Sequence, residues 1–168
     1  ISPNNAAARW IIDVLAPQCP DWRFDIAGTC GPACGALPTT PNVRILGHVP
    51  DLATVLDAAS VGLNPITLGS GINMKAVEYL HFGLPVISTP FGARGFESET
   101  PNGVQVVALE GFAAALQAAV ADAAHYRRLS AQASAFAAER LEWSAIGRRV
   151  RERVQAVAAA FSTPPGRP

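Results

Sequence analysis

The chain has 168 residues, a mass of 17.5 kDa and equal numbers of basic and acidic side chains, 13 of each. A net charge of zero argues against a nucleic-acid-binding protein, because such proteins usually carry a basic excess. Hydrophobic residues make up 49% of the chain and charged residues 15%, which excludes general disorder. No uninterrupted apolar run reaches the roughly 18 residues of a membrane span. The length is that of one domain, which we expect to be part of a longer protein.

The hydrophobic pattern predicts short apolar strands that alternate with helices. A first helix is expected to begin after an N-cap at Ser2 and to end before Pro17. The predicted strands are 23–27, 43–46, 61–63, 84–88 and 104–109. The predicted helices are a short one capped by Asp51, then 72–81, 112–124, 125–141 and 143–161. Residues 162–168 are expected to form a flexible tail.

This order of elements indicates an α/β fold, a Rossmann-like doubly wound parallel sheet that ends in alanine-rich helices. In such a fold, ligands bind at the carboxyl ends of the strands. The loops to be searched for function are therefore 28–41, 47–51, 64–72 and 89–103.

The sequence contains only weak patterns for disulfides, metal ligands or catalytic groups. Three cysteines, Cys19, Cys30 and Cys34, exclude a fully paired disulfide framework within the chain. We interpret them as reduced thiols, with a metal site as the less favoured alternative, and we expect no bound metal. Glu97 and Glu99 are interpreted as exposed loop charges rather than an acid–base pair. No Ser/His/Asp triad or zinc-ligand spacing is present.

The loop between the third strand and the helix that follows it is typical of a phosphate site. It contains Gly69, Ser70 and Gly71, and the helix is expected to begin near Ile72. The first backbone N–H groups of a helix have no internal partner and lie at the positive end of its dipole. Glycine lets a phosphate approach that backbone closely.

Two charged residues extend this pattern. Lys75, the only lysine of the chain, would add a positive charge, and Glu78 lies on the same helical face. A diphosphate could then lie at the amides and Lys75, with ribose hydroxyls donating to Glu78. The alternative is a plain loop-to-helix turn with a Lys–Glu surface pair.

Other residues in the strand-end loops are weaker candidates. Gly47, His48 and Val49 follow the second strand, where they could contact a base or a diphosphate, although a surface histidine is an equal alternative. Arg94 could reach a phosphate or an acceptor, and a solvated arginine is the alternative.

The segment 69–89 resembles the donor-binding signature of family 4 glycosyltransferases of the GT-B fold. It reads as a glycine-rich loop, Lys, Glu, then Gly-x-Pro-Val and a strand that ends in Ser-Thr. Segments 24–28, 42–51 and 90–96 resemble the strand–glycine elements before this signature and the loop after it. The resemblance runs in order from about residue 3 to residue 140.

The resemblance implies that residues 1–161 are the C-terminal, donor-binding domain of such an enzyme. It implies transfer of a sugar from a nucleotide diphosphate sugar, with retained anomeric configuration and without a metal or another cofactor. The acceptor, a glycan or a lipid-linked sugar, would be held by an N-terminal domain outside this numbering. The chain alone is therefore expected to bind donor with little or no turnover.

One departure from the family pattern leaves the donor sugar open. The commonest pattern has two glutamates separated by seven residues; the second matches Glu78, whereas Ser70 stands at the first. The sequence is more similar to a variant found in polysaccharide-type transferases. The rival functions are a GT-B-like sugar-nucleotide epimerase, for which no acid–base residues are found, and a noncatalytic nucleotide-binding scaffold.

The last predicted helix carries an apolar stripe and a cluster of arginines. The stripe consists of Ile146, Val150, Val154, Val157 and Phe161, and the cluster of Arg148, Arg149, Arg151 and Arg153. We interpret the stripe as core packing and the arginines as a solvated face. A weak contact with anionic lipid is the alternative. We expect a cytoplasmic location, and peripheral contact with the inner face of the membrane is left open.

The resemblance also predicts an interruption in the sheet. In the strand order 3-2-1-4-5-6 the first strand is central, and the helix that begins at Ser2 would follow that strand. Its absence from residues 1–168 would leave the strands at 23–28 and 61–64 with unpaired edges that face a gap. We expect a strand from outside this numbering to fill the gap, because buried unpaired backbone groups are costly.

Overall fold

Helices and parallel strands alternate along the chain, which confirms the predicted α/β class. The computed structural model describes residues 2–28, 40–96 and 101–162. The strands are β1 (Phe24–Ala27), β2 (Val43–Gly47), β3 (Gly62–Asn64), β4 (Val86–Ser88) and β5 (Val104–Val106). The α-helices are α1 (Pro3–Trp10), α2 (Ala16–Gln18), α3 (Leu52–Asp57), α4 (Met74–His81), α5 (Phe112–Val120), α6 (Ala123–Phe136) and α7 (Trp143–Ser162).

The described strands form two parallel sheets. One sheet has the order β1-β2 and the other the order β3-β4-β5. Phe24 lies opposite Val43 in the first sheet, and Val86 lies between Gly62 and Val104 in the second. Within the described residues, β1 and β3 do not pair with each other, so the expected interruption lies between them; what fills it stays a prediction.

One apolar cluster joins the two sheets. It contains Leu15 and Phe24 from the β1 side and Ile87, Phe112 and Leu116 from the β4 side, all buried. A second cluster packs α4 and α6 against β4. The helices therefore cover the sheets as a doubly wound fold requires.

The sequence predicted that the first helix ends before Pro17, but the helix continues through this residue. A π-helical turn, Ile11–Leu15, links α1 to α2, and the N–H of Ala16 donates to the carbonyl of Ile11. The wider π turn accommodates the proline ring, which would clash with a carbonyl in a regular helix. The helix ends at Gln18, where the side chain of Asn42 donates to the carbonyls of Ala16 and Cys19.

Two other boundaries differ from the prediction because of local caps. Asn73 has an extended backbone, so α4 begins at Met74 rather than at residue 72. The helix predicted over 112–124 ends at Val120, because Asp122 caps a new helix by accepting from the N–H groups of Ala124 and His125.

The apolar stripe of α7 is exposed, so its interpretation as core packing is wrong. Val150 is 57% exposed, Val154 62% and Phe161 87%. Helix α7 touches the rest of the described structure mainly near its first turns, where Ala145 is buried. No helix in the described part of the chain is both long and apolar enough to cross a membrane.

Cys19 is buried and forms no disulfide within the described residues, and burial raises its pKa. Cys30, Cys34, Glu97 and Glu99 lie outside the described residues, as does the predicted tail from residue 163 onward.

We expect the substitution Asp25→Asn to destabilise the protein at neutral pH but not in acid. The carboxylate accepts two hydrogen bonds from Arg44, at 2.8 and 2.7 Å, and those bonds lower the pKa of Asp25 from its ordinary 3.8. A carboxylate with a lowered pKa stabilises the fold above its unfolded pKa, and this stabilisation is lost as the pH falls below 3.8. Urea unfolding across pH tests the expectation.

The matched control is Asp57→Asn. Asp57 is exposed, and no ion pair or hydrogen bond of its carboxylate is found in the described structure, so its substitution should change the free energy of unfolding little. A loss of unfolding free energy in Asp25→Asn that persists unchanged in acid would contradict its assignment to the bonds between Asp25 and Arg44.

Gly62→Ala should destabilise the protein by about 1–3 kcal/mol, as overpacking does. A Cβ at Gly62 would lie 2.3 Å from Cδ2 of Tyr79, whose burial raises its pKa to about 12. Gly147→Ala is the control, because a Cβ there meets nothing within 4 Å and alanine favours a helix by up to about 1 kcal/mol. In urea unfolding, the free energy of unfolding should fall for Gly62→Ala and rise for Gly147→Ala.

Candidate functional site

A buried polar network lies at the carboxyl ends of β3 and β4. The amide nitrogen of Asn64 donates to Ser88 Oγ at 3.1 Å and to the carbonyl of Gly92 at 2.9 Å. Ser88 and Asn64 are fully buried. The side-chain oxygen of Asn64 has no hydrogen-bond partner in the described structure. Two apolar strands therefore end in polar side chains, as expected of the ligand-binding edge of a parallel sheet.

Thr89 and Asn73 tie the loops that follow these strands to each other. Thr89 Oγ1 donates to the carbonyl of Ile66 and accepts from the N–H of Gly92 at 2.9 Å. Asn73 donates to the carbonyl of Gly92 at 3.3 Å. The loop after β3 is thus held against the loop after β4, which orients the start of α4.

The predicted glycine loop is present and exposed. Gly69 and Gly71 have φ values of +126° and +75°, which other residues rarely adopt. Ser70 and Ile72 are exposed beside them, and Ile72 lies against Gly95 in the loop after β4. The two strand-end loops therefore share one open surface.

The N–H groups that begin α4 differ from those predicted. The sequence placed them at Gly71 and Ile72, but the helix begins at Met74. The N–H of Ala76 already donates to the carbonyl of Asn73, at 3.0 Å. The groups of Met74 and Lys75 are the first of the helix, and their positive dipole end faces the glycine loop.

Lys75 lies in the first turn of α4 and is half-buried. Its Nζ donates to Oδ1 of Asn4 on α1 at 2.8 Å. Burial lowers the pKa of Lys75, while the nearby carboxylate of Glu78 acts in the opposite direction. Glu78 is exposed on the following turn. The side-chain nitrogen of Lys75 thus lies in a partly dry setting, where electrostatic interactions are stronger than in water.

Lys75 and Glu78 both line a cavity of about 770 Å³ between the two sheets. The same cavity is lined by Gly28, which follows β1, and by Pro65, which follows β3. The structure therefore brings the predicted charged pair to the gap in the sheet.

Arg94 is exposed and is held in place by its own loop. Its guanidinium carbon lies 3.6 Å from the centre of the Phe91 ring, and its Nε donates to the Phe91 carbonyl at 3.1 Å. Its loop contacts Ile72, so Arg94 is on the same side of the sheet edge as the glycine loop.

The candidate residues at the end of β2 lie at the other sheet. Gly47 has a φ of +66° and accepts from the N–H of Gly28 at 2.7 Å. His48 is exposed and Val49 half-buried. The described contacts do not bring these three residues to the loop of Lys75. Their role as base or phosphate contacts stays a prediction.

In the described ranges no three His, Cys, Asp or Glu side chains come together as a metal-binding group. The polar groups that do come together, an ammonium, helix N–H groups and a carboxylate, are suited to a phosphate and to hydroxyl groups.

Residues 1–123 match the protein family described as glycosyl transferases group 1. The chain belongs to this family. No curated protein matches the chain.

Solved structures share the fold of this glycosyltransferase-family chain. HepE of Anabaena, crystallised with UDP, has a TM-score of 0.73 and 19% identity over 92% of this chain. WaaG, a glycosyltransferase involved in lipopolysaccharide biosynthesis, has a TM-score of 0.64 and 19% identity over 80%. The pneumococcal O-GlcNAc transferase GtfA, crystallised with UDP and GlcNAc, has a TM-score of 0.56 and 20% identity over 90% of this chain. This chain covers 46%, 40% and 32% of those three chains, less than half of each.

Sequence reasoning missed Asn4, Asn73 and the polar strand ends of this family member. Asn64 and Ser88 stand at the ends of otherwise apolar strands, and such buried polar side chains need hydrogen-bond partners. That signal was available. The contact of Asn4 with Lys75, which are 71 residues apart, had no sequence signal.

Thr89→Val should destabilise the protein by about 2–4 kcal/mol, because it leaves the carbonyl of Ile66 and the N–H of Gly92 unpaired. Thr54→Val is the matched control. Thr54 is exposed and donates one bond, to the carbonyl of Asp51, so its loss should stay within about 0.5 kcal/mol. Equal losses in thermal or urea unfolding would show that the Thr89 network adds nothing.

Proposed function

We propose that this chain is the nucleotide-sugar-binding part of a glycosyltransferase. The observation that carries the proposal is the position of Lys75, at the start of α4, behind a glycine loop and at the edge of a cavity that Glu78 also lines. Membership of the family of group 1 glycosyl transferases supports the same reading.

The chemistry of sugar transfer explains why these groups would be needed. When the bond between sugar and nucleoside diphosphate breaks, negative charge develops on the diphosphate, and fixed positive groups stabilise it. Lys75 and the first N–H groups of α4 are such groups. A phosphate would favour the charged form of Lys75, against the lowering of its pKa by burial.

Lys75 can serve this purpose from its present position. Its ammonium now donates to Asn4, a neutral amide. An ammonium has three N–H donors, so Lys75 can donate to a phosphate oxygen while it keeps Asn4, and the opposite charge of a diphosphate adds an attraction that a neutral amide does not offer. Glu78 is exposed on the next turn, where it would accept hydrogen bonds from the ribose hydroxyls.

Three finer statements belong to the proposal and rest on the family resemblance. The transfer would retain anomeric configuration, would need no metal, and would serve polysaccharide or glycoconjugate synthesis at a cytoplasmic location. The acceptor would be bound by another domain, so binding of the donor rather than turnover is what these 168 residues should show.

The first probes should be UDP and UDP-glucose, since HepE was crystallised with both. GDP- and ADP-sugars complete the panel. A scaffold module without a nucleotide site would bind none of these compounds specifically, and a noncatalytic nucleotide-binding module would bind nucleotide without any transfer in the presence of an acceptor domain. An epimerase would convert the UDP-sugar without an acceptor, which product analysis would detect.

Lys75→Ala should weaken UDP binding in calorimetry by about 10- to 100-fold, the effect of one lost charged hydrogen bond. Lys75→Arg should lose less, because the charge is kept. Glu78→Gln should weaken UDP binding but leave unchanged the binding of UDP that lacks its 2′- and 3′-hydroxyls. EDTA should not change any of these affinities.

Arg148→Ala and Glu152→Gln are the charge-matched controls, since both residues are exposed on α7. Unaltered UDP affinity in both Lys75→Ala and Glu78→Gln would reject the site. Binding that EDTA abolishes and Mg²⁺ restores would reject the metal-free part of the proposal alone.

A further inference from the structure

The apolar stripe of α7 is a continuous row of large side chains that are exposed along most of the helix. Trp143, which begins the helix, extends the row and is 85% exposed. The other exposed members are Val150, Val154, Val157 and Phe161. Contiguous apolar surface of this kind is uncommon on soluble proteins and marks sites of interaction. The stripe is therefore an interaction surface.

The stripe points away from the rest of the described structure. Ala145 is buried, and Nη1 of Arg149, one turn further along, donates to the carbonyl of Arg140 at 3.1 Å. Because successive residues of a helix are rotated by about 100°, Ala145 and Trp143 lie on nearly opposite sides of α7. The described lining of the cavity at the candidate site includes no residue of α7, so a partner on the stripe leaves that cavity open.

The stripe runs straight along the helix. Its two ends, Trp143 and Phe161, are five turns apart at about 3.6 residues per turn. A coiled coil instead needs a repeat of about 3.5 residues, and such a repeat through Trp143 and Val150 would put Arg153 in the seam. A straight stripe without this repeat fits a flat surface better than a second helix.

Arginines border the stripe on both sides. Arg151 lies about 80° to one side of the line through Trp143, and Arg153 lies about 80° to the other side. Both side chains are exposed, and neither forms an ion pair within the described residues. Glu152, the only acidic residue of α7, lies on the side opposite the stripe. The exposed face of α7 is thus apolar in the middle and basic at both margins.

This basic charge is concentrated on one helix of a chain that has no net charge. Helix α7 carries four arginines and one glutamate, whereas the whole chain has equal numbers of basic and acidic residues. A net charge of zero does not predict binding to an anionic surface, but a local basic face does, since attraction acts over a distance of about 10 Å in dilute salt.

The chemistry of the two margins fits lipid phosphates. An arginine side chain can lay its aliphatic part along apolar surface and extend its guanidinium to the polar side, and a guanidinium binds phosphate oxygens through paired N–H groups. Tryptophan is favoured at the boundary between lipid and water. A helix with one apolar face and basic margins lies in the plane of that boundary.

We propose that the exposed face of α7 binds the surface of an anionic phospholipid bilayer, with the helix axis parallel to the membrane. The valines and aromatic rings of the stripe enter the acyl boundary, and Arg151 and Arg153 bind lipid phosphates on either side. This surface is separate from the candidate nucleotide site, and the proposal does not depend on nucleotide binding.

The first test uses the unaltered chain of 168 residues. Flotation is measured with vesicles of phosphatidylcholine alone and with vesicles in which about a third of the lipid is phosphatidylglycerol. The anionic vesicles should be bound at least about tenfold more tightly. This difference should shrink at about 1 M salt, where charges are screened beyond about 3 Å.

A second test changes the middle of the stripe. Val150→Gln combined with Val154→Gln should weaken binding to anionic vesicles by about tenfold or more, because apolar area is lost. Glutamine favours a helix at least as well as valine, and circular dichroism checks that the helix is kept. Ala156→Gln is the control, since Ala156 is exposed on the other side of α7, and this variant should bind as the unaltered chain does.

A third test changes the margins. Arg151→Gln combined with Arg153→Gln should weaken binding to anionic vesicles by about 10- to 30-fold, because each basic residue near the lipid surface adds to the attraction. The charge-matched control is Arg127→Gln combined with Arg128→Gln, which are exposed on α6, and its loss should be much smaller. Equal losses in the two pairs would assign binding to net charge and would overturn the proposal.

Three further outcomes would overturn it. The first is no binding to the anionic vesicles, or equal binding to both kinds of vesicle. The second is self-association in sedimentation that Val150→Gln with Val154→Gln abolishes, which would assign the stripe to a second copy of the chain. The third is loss of vesicle binding in a longer polypeptide that contains these residues, which would assign the stripe to a contact within that polypeptide.

Discussion

The arrangement of this protein depends on one apolar cluster that joins two separate sheets. Within the described residues, backbone hydrogen bonds do not cross from β1 to β3. Leu15 and Phe24 instead pack with Ile87 and Phe112, and Trp10 meets the Phe112 ring edge-on, with centroids 5.2 Å apart. Each large buried side chain contributes about 1.5–3 kcal/mol. This packing, which is not directional, holds the strand ends that carry the polar groups.

The elements with a strong local signal were predictable from the sequence. The short strand patterns of β1 and β2 and the glycine that follows the helix ending at His81 define elements that need little tertiary information. The helix through Pro17 was not predictable, since the π turn that accommodates the ring depends on packing. The exposure of the α7 stripe was also not predictable, because an amphipathic pattern identifies an apolar face but not the element that covers this face.

The candidate site also has parts that were predictable from the sequence and parts that were not. The glycine loop, Lys75 and Glu78 were identified from spacing, since a strand, a loop and a helix start follow each other within a few residues. The start of the helix was misplaced because Asn73 has an extended backbone and directs its amide to Gly92. The partner of Lys75 could not be identified, because hydrogen bonds between distant segments depend on the tertiary fold.

The bond between Lys75 and Asn4 has a consequence for how the molecule would respond to a ligand. It joins the first turn of α4 to the first turn of α1. The ammonium has three N–H donors, so a diphosphate bound to it would share the lysine with Asn4 and would join both helix starts at one charge. Occupancy of one helix start would thereby be thermodynamically linked to the order of the other, and such a linkage is reciprocal: whatever holds Asn4 and Lys75 in place would also prepare the charge for the ligand.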